Sequence, residues 1–219
     1  MIPITDILNQ SAPEGMDDEK KLLNAIRRSC LSIQAEPIYR LIKSDNAPRY
    51  ANIAGMEDLR NRRLRDELMN QGYHILDQSQ RGRSGTGKGL GEFDILIHNE
   101  RGEPWTAIEA LRFSDGTKEN WNNHLYKLLN NYNVVGLRAL YLLAYVDADP
   151  PAFARIWHSY QAHIPKYSPG QHTYLDESFV ELNDADSPQY IKTAKCQYSC
   201  GGNPITVYHI FARIPTQNG

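Results

Sequence analysis

Apolar residues recur at helical intervals in four stretches of the chain, at positions 17–33, 56–70, 119–133 and 151–163. Acidic residues at positions 17–19 favour the start of the first helix, because negative charge is stabilised near a helix N-terminus. Gly72 and Gly136 follow the second and third stretches and are typical helix stop signals. The spacing therefore predicts four helices.

Short apolar runs bounded by turn-forming residues predict β-strands between and after these helices. The predicted strands lie at positions 73–78, 92–98, 105–113, 138–146, 179–182, 191–198 and 205–214. The turn at 99–102 is short enough to join its two neighbouring strands as an antiparallel hairpin. After Arg138 the strand at 138–146 is apolar, as expected of a strand that is buried on both faces.

The order helix, three strands, helix, strand predicts an α/β architecture with a mixed central sheet flanked by helices. We assign this core to residues 51–165. Residues 1–50 form an N-terminal extension with one amphipathic helix, and residues 166–219 form a β-rich C-terminal extension packed on the core.

Composition excludes several classes of protein. With 24 Lys and Arg against 26 Asp and Glu, the net charge of −2 excludes a generic basic coat for nucleic acid, although positions 60–90 carry a local excess of positive charge. Three cysteines do not make a disulfide framework, and no apolar run approaches the length of a membrane span. No export signal is visible at the N-terminus, so we expect a cytoplasmic protein without a membrane partner.

Two carboxylates interrupt otherwise apolar strands, and they carry the candidate chemistry. Asp94 lies in the strand at 92–98 and Glu109 in the strand at 105–113. A carboxylate in a central strand is costly unless it is paired, hydrogen-bonded or bound to a cation. Two of them on strands joined by a hairpin can converge on a divalent metal ion. The alternative is that each forms a structural salt bridge with an arginine of the preceding helix.

The element order and these two acids resemble the PD-(D/E)XK phosphodiesterase superfamily, which has the restriction-endonuclease-like fold. The resemblance covers about residues 56–146. Asp94 matches the first acid of the family motif and Glu109 the second. Glu67 matches the place on the preceding helix where many members carry another acidic ligand. The resemblance implies that these acids and the Ala110 carbonyl hold Mg²⁺ or Mn²⁺.

The chain departs from the family motif at its lysine. Leu111 stands where E-x-K requires Lys, and Arg112 points to the opposite face because side chains alternate along a strand. In some members the lysine has moved to the helix that follows. Lys127 is our candidate for the displaced lysine, with His124 beside it; a solvated helix edge is the alternative for both. Glu92 faces the same side of the strand as Asp94. It is either an acid at the periphery of the metal site or a residue exposed to solvent.

The mechanism implied by the resemblance is metal-dependent hydrolysis of nucleic acid, with DNA favoured over RNA, in microbial defence or DNA processing. A bound metal ion would activate water, and the lysine would orient that water or stabilise the developing charge. Arg81, Arg83 and Lys88 lie in a glycine-rich loop that leads into the Asp94 strand, where they can contact phosphates. A strand follows that loop, which argues against a nucleotide-binding P-loop.

Several alternatives stay open from the sequence. Leu111 in place of lysine also fits a catalytically inactive member of the same fold, which would bind nucleic acid or protein. A homodimer or a larger defence complex is compatible with either role. Cys196, Cys200 and His209 could supply three ligands to zinc, but a fourth is not evident, and small residues in a β-rich tail are the simpler interpretation.

Overall fold

The computed structural model describes residues 16–40, 42–43, 53–75, 94–113, 117–133, 136–182, 188–215 and 217–218. The described helices are α1 (Met16–Ala35), α2 (Ile53–Asn70), α3 (Lys118–Tyr126) and α4 (Pro150–His163). Short 3-10 turns occupy Pro37–Tyr39 and Ile164–Lys166, and α3 continues as a π-helix over Lys127–Tyr132. None of these helices combines the length and apolar character needed to cross a bilayer.

The first five strands are β1 (Ile42–Lys43), β2 (His74–Ile75), β3 (Ile95–His98), β4 (Pro104–Phe113) and β5 (Ala139–Asp147). The strands that follow are β6 (Thr173–Tyr174), β7 (Val180–Glu181), β8 (Ile191–Cys200), β9 (Asn203–Ile214) and β10 (Gln217–Asn218). Strands β1 and β10 pair with each other in a separate two-stranded sheet.

The central sheet is mixed and open, with eight described strands. Its order is β2-β3-β4-β5-β9-β8-β6, and β7 also pairs with β8. Strands β2, β3 and β4 form an antiparallel meander, whereas β4, β5 and β9 run parallel to one another. Strand β9 therefore extends the core sheet directly, and strands β6 to β9 share one sheet with the meander.

Helices cover both faces of the sheet, and β5 shows how the sequence specifies this arrangement. Every residue of β5 is buried. Leu140 and Leu142 pack into the apolar cluster that includes α3 and α4, while Tyr141 and Leu143 pack into the cluster that includes α1 and α2. A strand covered on both faces needs apolar side chains at every position, which explains its continuous apolar run. The result is a three-layer α/β/α fold.

The predicted elements agree with the structure in type, and their bounds differ at several ends. The helix expected over 119–133 changes to π geometry after Tyr126. The strand predicted at 179–182 is confined to Val180–Glu181. Positions 76–78 of the strand predicted at 73–78, and the glycine-rich loop after it, lie outside the described residues. Helix α1, predicted as part of an extension, contributes Leu22, Ile26 and Ile33 to the core.

Candidate active site

Asp94 and Glu109 face each other across the β3–β4 hairpin. In this hairpin Ile95 pairs with Ile108 and Leu96 with Ala107, so the same register puts Asp94 opposite Glu109. Residues directly opposite on antiparallel strands have Cβ atoms about 5 Å apart. The Ala110 amide donates a 2.7 Å hydrogen bond to Asp94 Oδ2, and the charge of Glu109 acts on the Asp94 carboxyl group. The hairpin therefore brings the two predicted acids together.

The surroundings of this pair favour its protonated state. Burial raises the pKa of Glu109 to about 8, against the opposing effects of the Lys127 charge and the hydrogen bond with Asp94. Asp94 is exposed as a whole residue, yet the protein atoms around its carboxyl group raise its pKa well above the usual value, and the charge of Glu109 adds to this. Two adjacent carboxylates repel each other unless a proton or a cation lies between them.

His124 connects α3 to Glu109. Its Nδ1 lies 2.8 Å from Glu109 Oε1, with the imidazole 17% and the carboxylate 4% exposed. Burial lowers the pKa of His124, and the Lys127 charge lowers it further. An ionised carboxylate only accepts hydrogen bonds, so Nδ1 carries the proton whenever Glu109 is charged.

Lys127 acts on the same group of side chains. Its positive charge is the main influence that lowers the pKa of Glu109 against burial, and it also lowers the pKa of His124. His124 and Lys127 are three residues apart, on adjacent turns of the helical segment that follows β4 in the chain. The structure thus places His124 in contact with Glu109 and Asp94 opposite it, and the charge of Lys127 acts on the same group.

A third acid, Glu57, joins the group from α2. Glu57 Oε2 accepts a 2.7 Å hydrogen bond from the Arg112 amide at the end of β4. Its charge raises the pKa of Asp94, of Glu109 and of His124. Glu57 is not among the residues predicted above, and the one signal for it in the sequence is an acidic residue near the start of the helix that precedes the meander.

Glu67, the helix residue that the resemblance selected, lies elsewhere. It is ten residues beyond Glu57 on the same helix, or about 15 Å along the axis. Its carboxylate pairs with Arg63 at 2.9 Å and accepts a 3.0 Å hydrogen bond from Ser32. Glu67 therefore contacts α1, and the acid that α2 contributes to the cluster is Glu57.

Buried charges behind the site fix α2 to the sheet. Arg112 projects to the face opposite Glu109, as strand alternation predicts, and its Nε lies 2.5 Å from Asp147 Oδ2. Arg60 binds the same carboxylate through two nitrogens, at 2.6 and 3.2 Å, and both side chains are fully buried.

Leu111, at the lysine position of the family motif, is buried in the apolar cluster on the α3 side. Among the described residues, no arginine pairs with Asp94 or Glu109.

The donor chemistry of the cluster fits a hard divalent cation. Ala110 occupies one oxygen of Asp94 and His124 one oxygen of Glu109, which leaves Asp94 Oδ1 and Glu109 Oε2 as ligands. Within the described ranges, no three His, Cys, Asp or Glu side chains form a metal-binding group. Mg²⁺ commonly binds through one or two carboxylates and completes its coordination with water and substrate phosphate, so two convergent carboxylates are sufficient.

Other predicted site residues have separate outcomes. The structure does not describe four of them, namely Arg81, Arg83, Lys88 and Glu92.

The zinc alternative does not agree with the structure. Cys196 and Cys200 are four residues apart on β8, or about 13 Å, which is too far for one zinc ion. Cys196 Sγ instead lies 3.0 Å from His209 Nε2 in the core, where the Tyr160 hydroxyl contacts the other ring nitrogen.

Comparison with known proteins yields no family. No protein-family model matches the chain, and no curated protein sequence matches it. Interpretation of the site therefore depends on the geometry of Glu57, Asp94, Glu109, His124 and Lys127.

Proposed function

We propose that this protein is a metal-dependent phosphodiesterase that hydrolyses nucleic acid, DNA in preference to RNA, with a site of the PD-(D/E)XK type. The observation that carries the proposal is the register of the β3–β4 hairpin, which places the buried carboxyl group of Glu109 opposite Asp94. An acid pair without an arginine partner in the described structure is unfavourable for folding alone, and a cation bound between the two groups removes the repulsion.

The topology supports the same proposal. Helix α2, the meander β2-β3-β4, helix α3 and strand β5 follow one another in the order of that fold, and β5 runs parallel to β4. The resemblance implies a first acid on the second strand of the meander and a second acid on the third; Asp94 directly precedes β3, and Glu109 lies in β4. Fold alone does not establish activity, so the side-chain cluster carries the functional part of the argument.

Each residue of the cluster has a role that its position allows. Asp94 Oδ1 and Glu109 Oε2 would hold Mg²⁺ or Mn²⁺, which when bound lowers the pKa of a water molecule and offsets charge on the scissile phosphate. His124 fixes the orientation of the Glu109 carboxylate through its Nδ1. Lys127 supplies the positive charge that would orient the attacking water and stabilise the phosphate oxygens as negative charge develops.

A second candidate is a catalytically inactive member of the same fold. Leu111 favours it, because this residue occupies the lysine position of the motif and is fully buried among apolar side chains. Lys127 argues against it, because its charge already acts on Glu109. Both candidates predict that the protein binds a metal ion, but only the first predicts that it cleaves nucleic acid.

Calorimetric titration of Mn²⁺ into the purified protein tests the site without a choice of substrate. We expect binding by the wild type, loss of binding in Asp94→Asn and Glu109→Gln, and unchanged binding in Glu67→Gln, whose carboxylate lies outside the cluster. Binding that survives both site substitutions would overturn the proposal. Cleavage of single-stranded DNA, duplex DNA and RNA is then measured with Mg²⁺ or Mn²⁺. Metal binding without cleavage of any of them would favour the inactive candidate.

A further inference from the structure

A cavity of about 880 Å³ adjoins the end of the π-helix that begins at Lys127. Its walls come from that helix, from the segment leading into β5, from the turn at 170–172 and from the β8–β9 turn. The volume is within the range of small-molecule sites, which is about 300–1,000 Å³. The cavity is separate from the acid pair, because neither Asp94 nor Glu109 lines it.

The described residues that line the cavity are mostly polar, and they carry positive charge and no negative charge. No Asp or Glu occurs among the described residues that line the cavity, and Arg138 contributes a guanidinium group there. Side-chain amides come from Asn131, Gln171 and Asn203. Neither these amides nor the Arg138 guanidinium has a hydrogen-bond partner within the described parts of the chain. Such a surface offers donors and acceptors to an anionic or neutral polar ligand.

A hydrogen-bonded wall keeps the cavity in shape. Asn130 Nδ2 donates to the carbonyls of Tyr126 and Pro169, at 3.2 Å each, and Asn130 Oδ1 lies 3.3 Å from His172 Nδ1. Gly170 has φ +61° and lies so close to Asn130 that a Cβ atom there would be 2.4 Å from Asn130 Oδ1. The amide of Asn130 is thus engaged in structure, and the amide of Asn131 remains available to a ligand.

The same helical segment connects the cavity to the acid pair. Lys127 begins the π-helix and acts on Glu109, while Asn131 lies in the cavity wall. Four residues make about one helical turn, or about 5 Å along the axis, and successive nucleotides of a strand rise about 3.4 Å. A strand whose phosphate lies at Lys127 would therefore reach the cavity within about two nucleotides.

Tyr126 adds a surface for stacking at the cavity rim. It is 42% exposed and lines the cavity beside Asn130. Exposed aromatic rings stack on unpaired bases, while amide side chains form hydrogen bonds with base edges. In a duplex those edges are already paired and stacked, so a recess of this kind accepts an unpaired base.

We propose that this cavity binds one unpaired nucleotide of the substrate strand. The base would stack on Tyr126 and form hydrogen bonds with the Asn131 amide, and Arg138 would contact the adjoining phosphate. The choice of ligand rests on the proposed nuclease function. The inference adds that the substrate is single-stranded, or is opened at this position.

Binding of a fluorescent single-stranded DNA hexamer in EDTA tests the inference without metal or cleavage. We expect Asn131→Ala, Arg138→Ala and Tyr126→Ala each to weaken binding at least fivefold, because each removes one contact to the nucleotide. The controls are Arg155→Ala and Tyr190→Ala, which alter an exposed arginine and an exposed tyrosine away from the cavity. Both controls should bind the hexamer as the wild type does.

Three results would overturn the inference: no hexamer binding by the wild type, equal binding by all variants, or the same losses with a blunt duplex of matching sequence. Mn²⁺ titration of the cavity variants separates the two proposals, because the cavity residues lie outside the acid cluster. If Mn²⁺ binds but the cavity variants bind the hexamer as tightly as the wild type, the nuclease proposal stands and the nucleotide site is excluded. If the cavity variants bind the hexamer more weakly than the wild type but the protein does not bind Mn²⁺, the nucleotide site stands and the metal-dependent nuclease proposal fails.

Discussion

The imidazole of His124 and the carboxylate of Glu109 form a hydrogen-bonded pair, with Nδ1 and Oε1 2.8 Å apart. This hydrogen bond joins helix α3 to strand β4 at the pair of acids, Asp94 and Glu109. Because the Glu109 side chain is almost fully buried, the hydrogen bond to His124 restrains one of its two carboxyl oxygens and leaves the other for a ligand. His124 is therefore a positioning residue for the carboxylate that would hold the metal ion.

We predict that His124→Ala weakens Mn²⁺ binding about 10- to 100-fold, the usual effect of removing a hydrogen-bond partner of a ligand. His124→Asn supplies the matched control, because its amide nitrogen can occupy the place of Nδ1 and donate to Glu109. Calorimetry should show most of the affinity restored in His124→Asn. Equal affinities in His124→Ala and the wild type would show that the pair has no positioning role.

Lys127 should separate metal binding from cleavage. We predict that Lys127→Met lowers kcat about 10²- to 10³-fold, because a positive charge near the reacting phosphate acts mainly on the transition state. Mn²⁺ affinity should change little, since the lysine is not a ligand. Lys118→Met, an exposed lysine at the start of α3, is the control. A Lys127→Met enzyme with wild-type kcat would assign the catalytic cation to another residue.

The acid pair could be predicted from sequence because its geometry is local. Asp94 and Glu109 lie on strands joined by a short turn, so the hairpin register alone determines that they are opposite. The direction of Arg112 followed from strand alternation for the same reason. These relationships depend on neighbouring residues and on backbone periodicity, both of which are visible in the chain.

Glu57 and the β5–β9 pairing could not be predicted in this way. Glu57 meets the acid pair only because α2 begins near the C-terminal end of β4, where the Arg112 amide donates to it. The parallel pairing of β5 with β9 joins Ala139 to Thr206, across more than sixty residues of chain. Apolar patterns identify strands and helix faces, but they do not identify which distant strand or helix end is adjacent.

The ion pair between Arg60 and Asp147 should be required for folding. Asp147 receives Arg60 and Arg112 in a fully buried site, so Asp147→Asn leaves two buried guanidinium groups without a full countercharge. We predict a loss of about 3–5 kcal/mol in the free energy of unfolding. Urea denaturation at pH 7 measures this, with Asp176→Asn at an exposed position as the control. A loss below about 1 kcal/mol would mean that the arginines find other partners.

The stability of the metal-free protein should fall as pH rises through the pKa of Glu109. Burial holds this pKa at about 8, above the ordinary value of 4.5, so the folded protein retains a proton that the unfolded chain releases. The stabilisation from that proton is complete below about pH 4.5 and is lost as pH rises through about 8. Glu109→Gln cannot ionise, and its stability should lack this decline.

Thermal unfolding in EDTA at pH 6 and pH 8.5 measures the difference between the two proteins. We expect the Tm of the wild type to fall relative to that of Glu109→Gln over this interval, while Glu67→Gln falls as the wild type does. Adding Mn²⁺ at pH 8.5 should raise the Tm of the wild type and leave Glu109→Gln unchanged, because a bound cation replaces the proton between the carboxylates. Parallel pH dependence in the wild type and Glu109→Gln would show that Glu109 ionises at its ordinary pKa.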